Sequence, residues 1–155
     1  MLRINIHAEE FEYDASDPEG YRGGRMRVGA GIGASELGAS VYELPPDQAI
    51  CPYHYELGDE EWLIVLAGEA TVRHPQGTEL LKAGETVCFA AGAAGAHKVS
   101  NQSDQTVRVL LLSSMNMPSV AVYPDSDKIG VFTADGSDDL MVRRSDGVDY
   151  WEGER

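Results

Sequence analysis

Short runs of apolar and β-branched residues follow one another along most of this chain, separated by turn residues. No long segment between them keeps the 3.6-residue period of an amphipathic helix. Strands at this spacing are typical of an antiparallel all-β sandwich or barrel with little helix. Two of the runs, WLIVLA and VRVLLLSS, are apolar on both strand faces, which predicts central strands with both faces buried. The runs are ASVYEL, EEWLIVLAG, EATVRH, ETVCFA, HKVSN, TVRVLLLSS, SVAVY and KIGVF.

The strand pattern begins at Ala39 and divides the chain into three parts of one domain. Residues 39–115 carry the core strands, and we expect residues 116–155 to add further strands and a tail to the same domain. Residues 1–38 differ, with an acidic opening followed by GYRGGRMR and GAGIGASELG, and we expect an arm that packs on the barrel or on a dimer interface. The glycine-rich run lacks the strand and helix that flank a phosphate-binding loop, which favours the arm.

Acidic residues dominate the charge of the chain. Its 155 residues include 26 acidic and 12 basic ones, which gives a formal net charge of −14. Such a surface repels nucleic acid and anionic membranes, so we expect neither as a partner. No run of 18 apolar residues is present and the opening residues are acidic, which together predict a cytoplasmic protein. Cys51 and Cys88 are expected to be free thiols, as suits a reducing compartment.

One stretch, CPYHYELGDEEW, concentrates metal-binding side chains. His54 and Glu56 are two residues apart, so both leave the same face if the stretch is extended. Glu61 begins the next strand and is preferred to Glu60, whose side chain is expected on the opposite strand face. His97 is the best candidate for a further donor, because a Gly-Ala loop delivers it to the start of a strand. Two histidines with one or two carboxylates are a ligand set that divalent metals accept.

The same residues follow the two sequence motifs of the cupin superfamily, which this chain resembles. The first motif is matched by His54, Glu56, Glu61 and Gly68, and the second by Gly84, Gly92, His97 and Asn101. The resemblance implies an antiparallel double-stranded β-helix, or jelly-roll barrel, with a metal site inside it. Open sheet edges, and the pairing that is common among small cupins, predict a homodimer.

The resemblance also implies a cofactor, a divalent metal ion such as Mn, Fe, Zn or Ni. Its ligands would be His54, Glu56, Glu61 and His97. Two positions depart from the usual motifs, because Glu56 stands where a second histidine is common and Ala90 where a proline is common. A second carboxylate makes the ligand set harder and better suited to Mn or Fe(II) than to copper.

Four aromatic residues near the motifs are candidates for lining a pocket mouth: Tyr42, Tyr53, Tyr55 and Trp62. The ligand set and the resemblance favour a metal-dependent enzyme that acts on a small sugar-like, carbonyl or enediol molecule. A metal beside a carboxylate base supports isomerisation or epimerisation, whereas Fe(II) with open positions supports oxygen-dependent cleavage, and the sequence leaves both open. The alternative is a non-catalytic protein that binds a small-molecule ligand and has a lapsed or empty metal site.

Overall fold

The computed structural model describes residues 1–154, and strands dominate its secondary structure. Within these residues there is one short α-helix, α1 (Val28–Ile32), together with 3-10 turns at Ala93–Gly95, Pro124–Ser126 and Arg144–Asp146. The strands are β1 (Gly24–Arg27), β2 (Leu37–Leu44), β3 (Tyr55–Glu56), β4 (Glu61–Ala67), β5 (Glu69–His74), β6 (Gly77–Lys82), β7 (Thr86–Phe89), β8 (Lys98–Ser100), β9 (Val107–Ser114), β10 (Ser119–Tyr123), β11 (Lys128–Phe132) and β12 (Leu140–Arg143).

The strands of residues 1–154 form three antiparallel sheets. The largest has the order β1-β2-β9-β4-β7, the second β12-β11-β10-β3 and the third β6-β5-β8. This arrangement confirms the predicted antiparallel all-β class with little helix. In the part of the chain described here, no strand pairing joins the three sheets into one closed barrel.

The main core lies on the inner face of the five-stranded sheet. Leu63 and Val65 of β4 and Val107 and Val109 of β9 are almost completely buried, and Val72 of the three-stranded sheet belongs to the same cluster. Alternate residues of a strand point to opposite faces, so these positions define one face of the sheet. Burying each such side chain contributes about 1.5–3 kcal/mol to the free energy of unfolding. The core therefore holds the inner face of β4 in place, and Glu61 is on that face.

The outer face of β4 is only partly covered, which differs from the expectation that WLIVLA is buried on both faces. Leu66 packs against the cluster formed by Met26, Val28 and Val41, whereas Trp62 is 47% exposed. The N-terminal segment supplies this cover at one end of β4 and leaves the other end open.

Residues 1–38 contribute a strand to the largest sheet. Gly24–Arg27 forms β1 and pairs with β2, an element that the pattern of apolar residues missed because GRMR is short and carries two arginines. β2 itself begins at Leu37, slightly before the expected boundary. Ile4, Ile6 and Phe11 pack against the buried residues of β1 and β2.

The predicted turns and C-terminal strands are present. Gly68 and Gly84 have positive φ angles of 77° and 89°, a conformation that glycine adopts without steric cost, at the turns that follow β4 and β6. The runs SVAVY and KIGVF form β10 and β11, and β12 continues the same sheet. Among residues 1–154, no helix is long and apolar enough to cross a membrane.

Candidate metal centre

Two histidines from different parts of the chain are joined through their backbones. The His54 N–H donates to the His97 carbonyl at 3.0 Å, and the His97 N–H donates to the His54 carbonyl at 2.8 Å. Residues that exchange both hydrogen bonds lie directly opposite each other in an antiparallel pair, so their side chains leave on the same side. The two ring centroids are 4.8 Å apart.

Backbone carbonyls orient both imidazole rings. His54 Nδ1 lies 3.0 Å from the Pro52 carbonyl oxygen, and His97 Nδ1 lies 2.9 Å from that of Gly95. A carbonyl oxygen only accepts, so we assign the proton of each neutral ring to Nδ1, which leaves a lone pair on each Nε2. Gly95 is required in this loop because a β-carbon there would collide with the Ala90 carbonyl. The rings are therefore held with metal-binding nitrogens pointing inward.

Glu61 brings a carboxylate to the same point. This residue opens β4 on the inner face, and its Oε2 lies 3.4 Å from His97 Nε2 and 3.9 Å from His54 Nε2. The ligand atoms of the three residues all lie within 4.8 Å of one another. Among residues 1–154, the buried Glu61 Oε2 has no hydrogen-bond partner. His54 Nε2, His97 Nε2 and Glu61 Oε2 thus lie close together, and each has an electron pair to donate. No hydrogen-bond donor lies between them among the described residues.

Burial shapes the electrostatics of the three residues. Burial, followed by the charges of Glu56 and Asp59, raises the pKa of Glu61 from 4.5 to about 7. Burial lowers the pKa of His97 from 6.5 to about 4, and it also lowers the pKa of His54. Both imidazoles are therefore neutral near pH 7, and a cation is the species that would satisfy all three donors at once.

Glu56 lies next to this cluster without being part of it. Its Oε1 is 3.8 Å from His54 Nε2, and its Oε2 accepts a hydrogen bond from the Ser119 hydroxyl at 3.1 Å. Burial raises the pKa of Glu56. The structure thus brings His54, Glu61 and His97 together as a set that can hold a metal, and it places the fourth expected ligand at the edge of that set.

The three tyrosines near the motifs have different surroundings. Tyr42 is partly buried and borders a cavity together with Ile50, and burial raises its pKa. Tyr53 is buried beneath a guanidinium group, with Arg73 Cζ 3.9 Å from the ring centroid. Tyr55 is partly buried in the short strand β3.

Trp62 has a different position from that of the metal-site residues. It follows Glu61 in β4 and so points to the opposite, outer face, where its indole N–H donates to Glu60 Oε1 at 2.9 Å. Glu60 is exposed, as the strand parity predicts. Trp62 therefore lies on an outer surface, on the other side of the sheet from Glu61.

Two aromatic residues that the sequence did not single out pack on the histidines. The Tyr123 ring, at the end of β10, stacks on the His54 ring with centroids 5.8 Å apart and an interplanar angle of 20°. The Phe89 ring, at the end of β7, stacks on the His97 ring at 3.7 Å and 6°. Burial raises the pKa of Tyr123 to about 12, so its hydroxyl stays protonated. The sequence shows an aromatic residue at the end of SVAVY and another near the end of ETVCFA. It does not show that these rings stack on the two histidines.

Asn101, the last residue of the second motif, has a structural role. Its buried side-chain amide donates to the carbonyls of Leu44 and Gln105 at 2.8 and 2.7 Å. Its side-chain oxygen accepts from the backbone N–H and the hydroxyl of Ser103. These four hydrogen bonds tie the end of β2 to the loop before β9.

Comparison with known families identifies a domain within the chain. Residues 40–113 match the family model of the cupin domain (Cupin_2). No curated protein sequence matches the chain.

Solved structures with similar folds extend the likeness to nearly the whole chain. A protein from Acidithiobacillus ferrooxidans, provisionally named a sugar phosphate isomerase, has a TM-score of 0.82 and 22% identity, with 93% of this chain and 91% of that chain covered. A sugar phosphate isomerase of the cupin superfamily from Silicibacter pomeroyi has a TM-score of 0.81 and 20% identity, with 97% and 98% covered. The polyketide cyclase RemF from Streptomyces resistomycificus has a TM-score of 0.61 and 20% identity, with 77% and 83% covered. At these identities the likeness concerns the fold.

Proposed function

Because residues 40–113 of this chain are a cupin domain, we propose that the protein is a metal-dependent enzyme that isomerises or epimerises a small carbonyl or sugar-like molecule. The observation that supports this proposal most directly is the buried convergence of His54 Nε2, His97 Nε2 and Glu61 Oε2. A buried carboxylate oxygen without a hydrogen-bond partner among residues 1–154 is costly, and a bound cation would remove that cost.

The donor set fits a divalent ion of the first transition series. Two neutral imidazole nitrogens and one carboxylate oxygen suit Mn, Fe, Zn or Ni, and three protein ligands leave positions for water or substrate. When bound, such an ion supplies Lewis-acid polarisation of a carbonyl oxygen. His54 and His97 would hold it through Nε2, because Nδ1 of each ring already donates to a backbone carbonyl.

We assign the role of proton acceptor in this reaction to Glu56. The Ser119 hydroxyl holds one of its oxygens, while the other faces His54. A raised pKa makes this carboxylate a stronger base than an exposed glutamate, which is what general-base catalysis near neutral pH requires. The Tyr123 ring stacks on the His54 ring, and its hydroxyl stays protonated.

The names of two structural relatives agree with the proposed reaction class. The Silicibacter pomeroyi protein is named a sugar phosphate isomerase, and the Acidithiobacillus ferrooxidans protein has the same name provisionally. Isomerisation of a sugar or hydroxycarbonyl compound moves a proton between neighbouring carbons, so a Lewis acid beside a carboxylate base is suited to it.

The proposal is tested by metal content and by proton exchange. The purified protein is loaded with Mn, Fe, Zn or Ni, and deuterium incorporation from D2O into hydroxyketones, aldoses and their phosphates is followed by NMR. Glu56→Gln is expected to keep the metal and lower the exchange rate at least about a hundredfold, which is the typical contribution of a general base. His97→Ala is expected to lose both metal and exchange, whereas the exposed His7→Ala retains both.

Three outcomes would contradict the proposal. If His97→Ala binds as much metal as the native protein, the centre is elsewhere. If the metal-loaded protein exchanges no substrate proton but the Fe(II) form consumes oxygen with such a compound, oxygen-dependent cleavage replaces isomerisation. If it binds these compounds without either reaction, the protein is a non-catalytic binding protein.

A further inference from the structure

Two arginines of β1 project from the same face of the largest sheet. Arg25 pairs with Tyr42 of β2 and Arg27 pairs with Ser40, and opposite residues in an antiparallel pair lie on one face. The alternate residues of β1, Gly24 and Met26, are buried on the other side, whereas both arginines are exposed. β1 therefore presents two guanidinium groups on a single surface.

This surface is also the one that carries Glu61. Ser40 pairs with Leu111 of β9, and Leu111 pairs with Leu63 of β4. Glu61 is two residues from Leu63 and so has the same orientation. With strands about 4.8 Å apart and a rise of about 3.3 Å per residue, the Cα atoms of Ser40 and Glu61 are separated by roughly 12 Å. Glu61 and the arginines of β1 therefore lie on one face of the sheet, with β2 and β9 between them.

Arg25 lies over the inner surface of β2. Its Nε is 3.2 Å from the Ser40 hydroxyl, and its Cζ lies 5.6 Å from the centroid of the Tyr42 ring. Burial raises the pKa of Tyr42, and the charge of Glu61 contributes in the same direction. In the strand order, Tyr42 of β2 lies between the arginines of β1 and Glu61 of β4.

Neither arginine is neutralised by a carboxylate. Within residues 1–154, no Asp or Glu oxygen lies within 4.0 Å of the guanidinium of Arg25 or Arg27. The chain has 26 acidic residues against 12 basic ones, so partners for arginine are abundant. By contrast, Arg73 and Arg108 each form a close ion pair.

The two guanidinium groups border a cavity of about 500 Å³, which Tyr42 also lines. The N-terminal arm contributes Glu12, Asp14 and Asp17 to the same cavity, and none of these carboxylates forms an ion pair with the arginines among the described residues. Asp14 instead accepts hydrogen bonds from the backbone and hydroxyl of Ser16. Each guanidinium therefore keeps N–H donors that no carboxylate among residues 1–154 accepts from, and these donors can bind an anion.

We propose that Arg25 and Arg27 bind the anionic group of the substrate, a phosphate or a carboxylate, while its carbonyl end lies at the metal centre. This inference rests on the proposed function for the carbonyl end only. Guanidinium groups bind such anions through paired, charge-assisted hydrogen bonds. A chain with a net charge of −14 repels anions in general, so an anionic substrate requires a local cationic site of this kind.

The test measures anion binding separately from metal binding. Inorganic phosphate and acetate are titrated into a chelator-treated His97→Ala protein, and the backbone amide signals of β1 and β2 are followed by NMR. Arg25→Gln and Arg27→Gln are each expected to weaken phosphate binding about tenfold or more, which is the typical loss of a charge-assisted hydrogen bond. Arg3→Gln removes the same charge from an exposed position outside the cavity and is expected to change the affinity little.

The two anions identify the group that the site accepts, since tighter binding of phosphate assigns it to phosphorylated molecules and tighter binding of acetate to carboxylated ones. Equal phosphate affinities for the Arg25, Arg27 and Arg3 variants would overturn the inference, as would amide changes confined to other regions. Because the titrated protein lacks a metal ligand, this result is independent of whether the loaded enzyme isomerises a substrate. Arg25→Lys keeps the charge without the paired geometry and is expected to bind phosphate with intermediate affinity.

Discussion

Replacing Glu61 with glutamine separates the effect of this carboxylate on the free energy of unfolding from its effect on metal binding. In metal-free protein above pH 7, the buried Glu61 carboxylate faces two imidazole lone pairs, which is unfavourable. Glutamine has the same shape, carries no charge and offers N–H donors to His97 Nε2. We therefore expect Glu61→Gln to raise the free energy of unfolding of metal-free protein at pH 8, while it weakens metal binding.

The magnitude follows from the pKa of Glu61. Burial raises this pKa from 4.5 to about 7, and each pH unit corresponds to about 1.4 kcal/mol. The folded protein holds the proton more tightly than the unfolded chain, so the stability that protonation provides is present below pH 4.5 and is lost as the pH rises through about 7. The Glu61 side chain is 11% exposed, and the cost at pH 8 is about 3 kcal/mol. At pH 5 it is under about 1 kcal/mol.

His97 changes stability in the opposite direction with pH. Its pKa is lowered to about 4, so its contribution is present above pH 6.5 and is lost as the pH falls through about 4. This contribution is common to the native and Glu61→Gln proteins. The difference between the two proteins therefore reports Glu61.

Urea unfolding of chelator-treated proteins at pH 5 and pH 8 measures this difference. The exposed Glu60→Gln is the matched control, because it removes one charge from the neighbouring residue outside the site. Added Mn is expected to stabilise the native protein and the Glu60 variant in proportion to its affinity, and the Glu61 variant much less. Glu61 does not have the expected effect if metal-free Glu61→Gln is no more stable than native protein at pH 8. The same holds if Mn stabilises the native protein and the Glu61 variant equally.

Glu56→His is expected to retain metal and to shift its selectivity toward Zn or Ni, because it puts a softer imidazole donor at the edge of the ligand set. Competition dialysis measures this, and a variant that binds metal when the native protein does not would show that the native centre is inactive. Asn101→Ala is expected to lower the free energy of unfolding by about 3 kcal/mol, because it leaves buried carbonyl groups without donors. Urea titrations measure this, and a loss below about 0.5 kcal/mol would contradict the structural role of Asn101. We also expect a homodimer, since β12 is an exposed edge strand with apolar side chains. Light scattering at micromolar concentration measures the mass, and the mass of a single chain would contradict a dimer.

Local sequence was sufficient to predict most strands and several turns. Short runs of apolar and β-branched residues and the glycines between them are local features, so the all-β class, β4, β9 and the turns at Gly68 and Gly84 could be predicted. The pattern did not predict β1, because a strand of four residues with two arginines has no distinctive apolar period. It also did not predict that Trp62 stays exposed, since burial of an outer face depends on what the N-terminal arm covers.

By itself the sequence determined the strand class, the residue types of a metal centre and the parity that puts Glu61 on the inner face of β4. Only the tertiary structure decided which of the expected ligands meet, because the distance between His54 and His97 depends on a backbone pairing across 43 residues of chain. It also decided that Tyr123 covers His54, that Glu56 lies at the edge of the cluster, and that the β1 arginines share the face of Glu61. The physical reason is that spacing along a chain sets only local side-chain direction, whereas convergence of distant donors depends on sheet register and on the packing that maintains it.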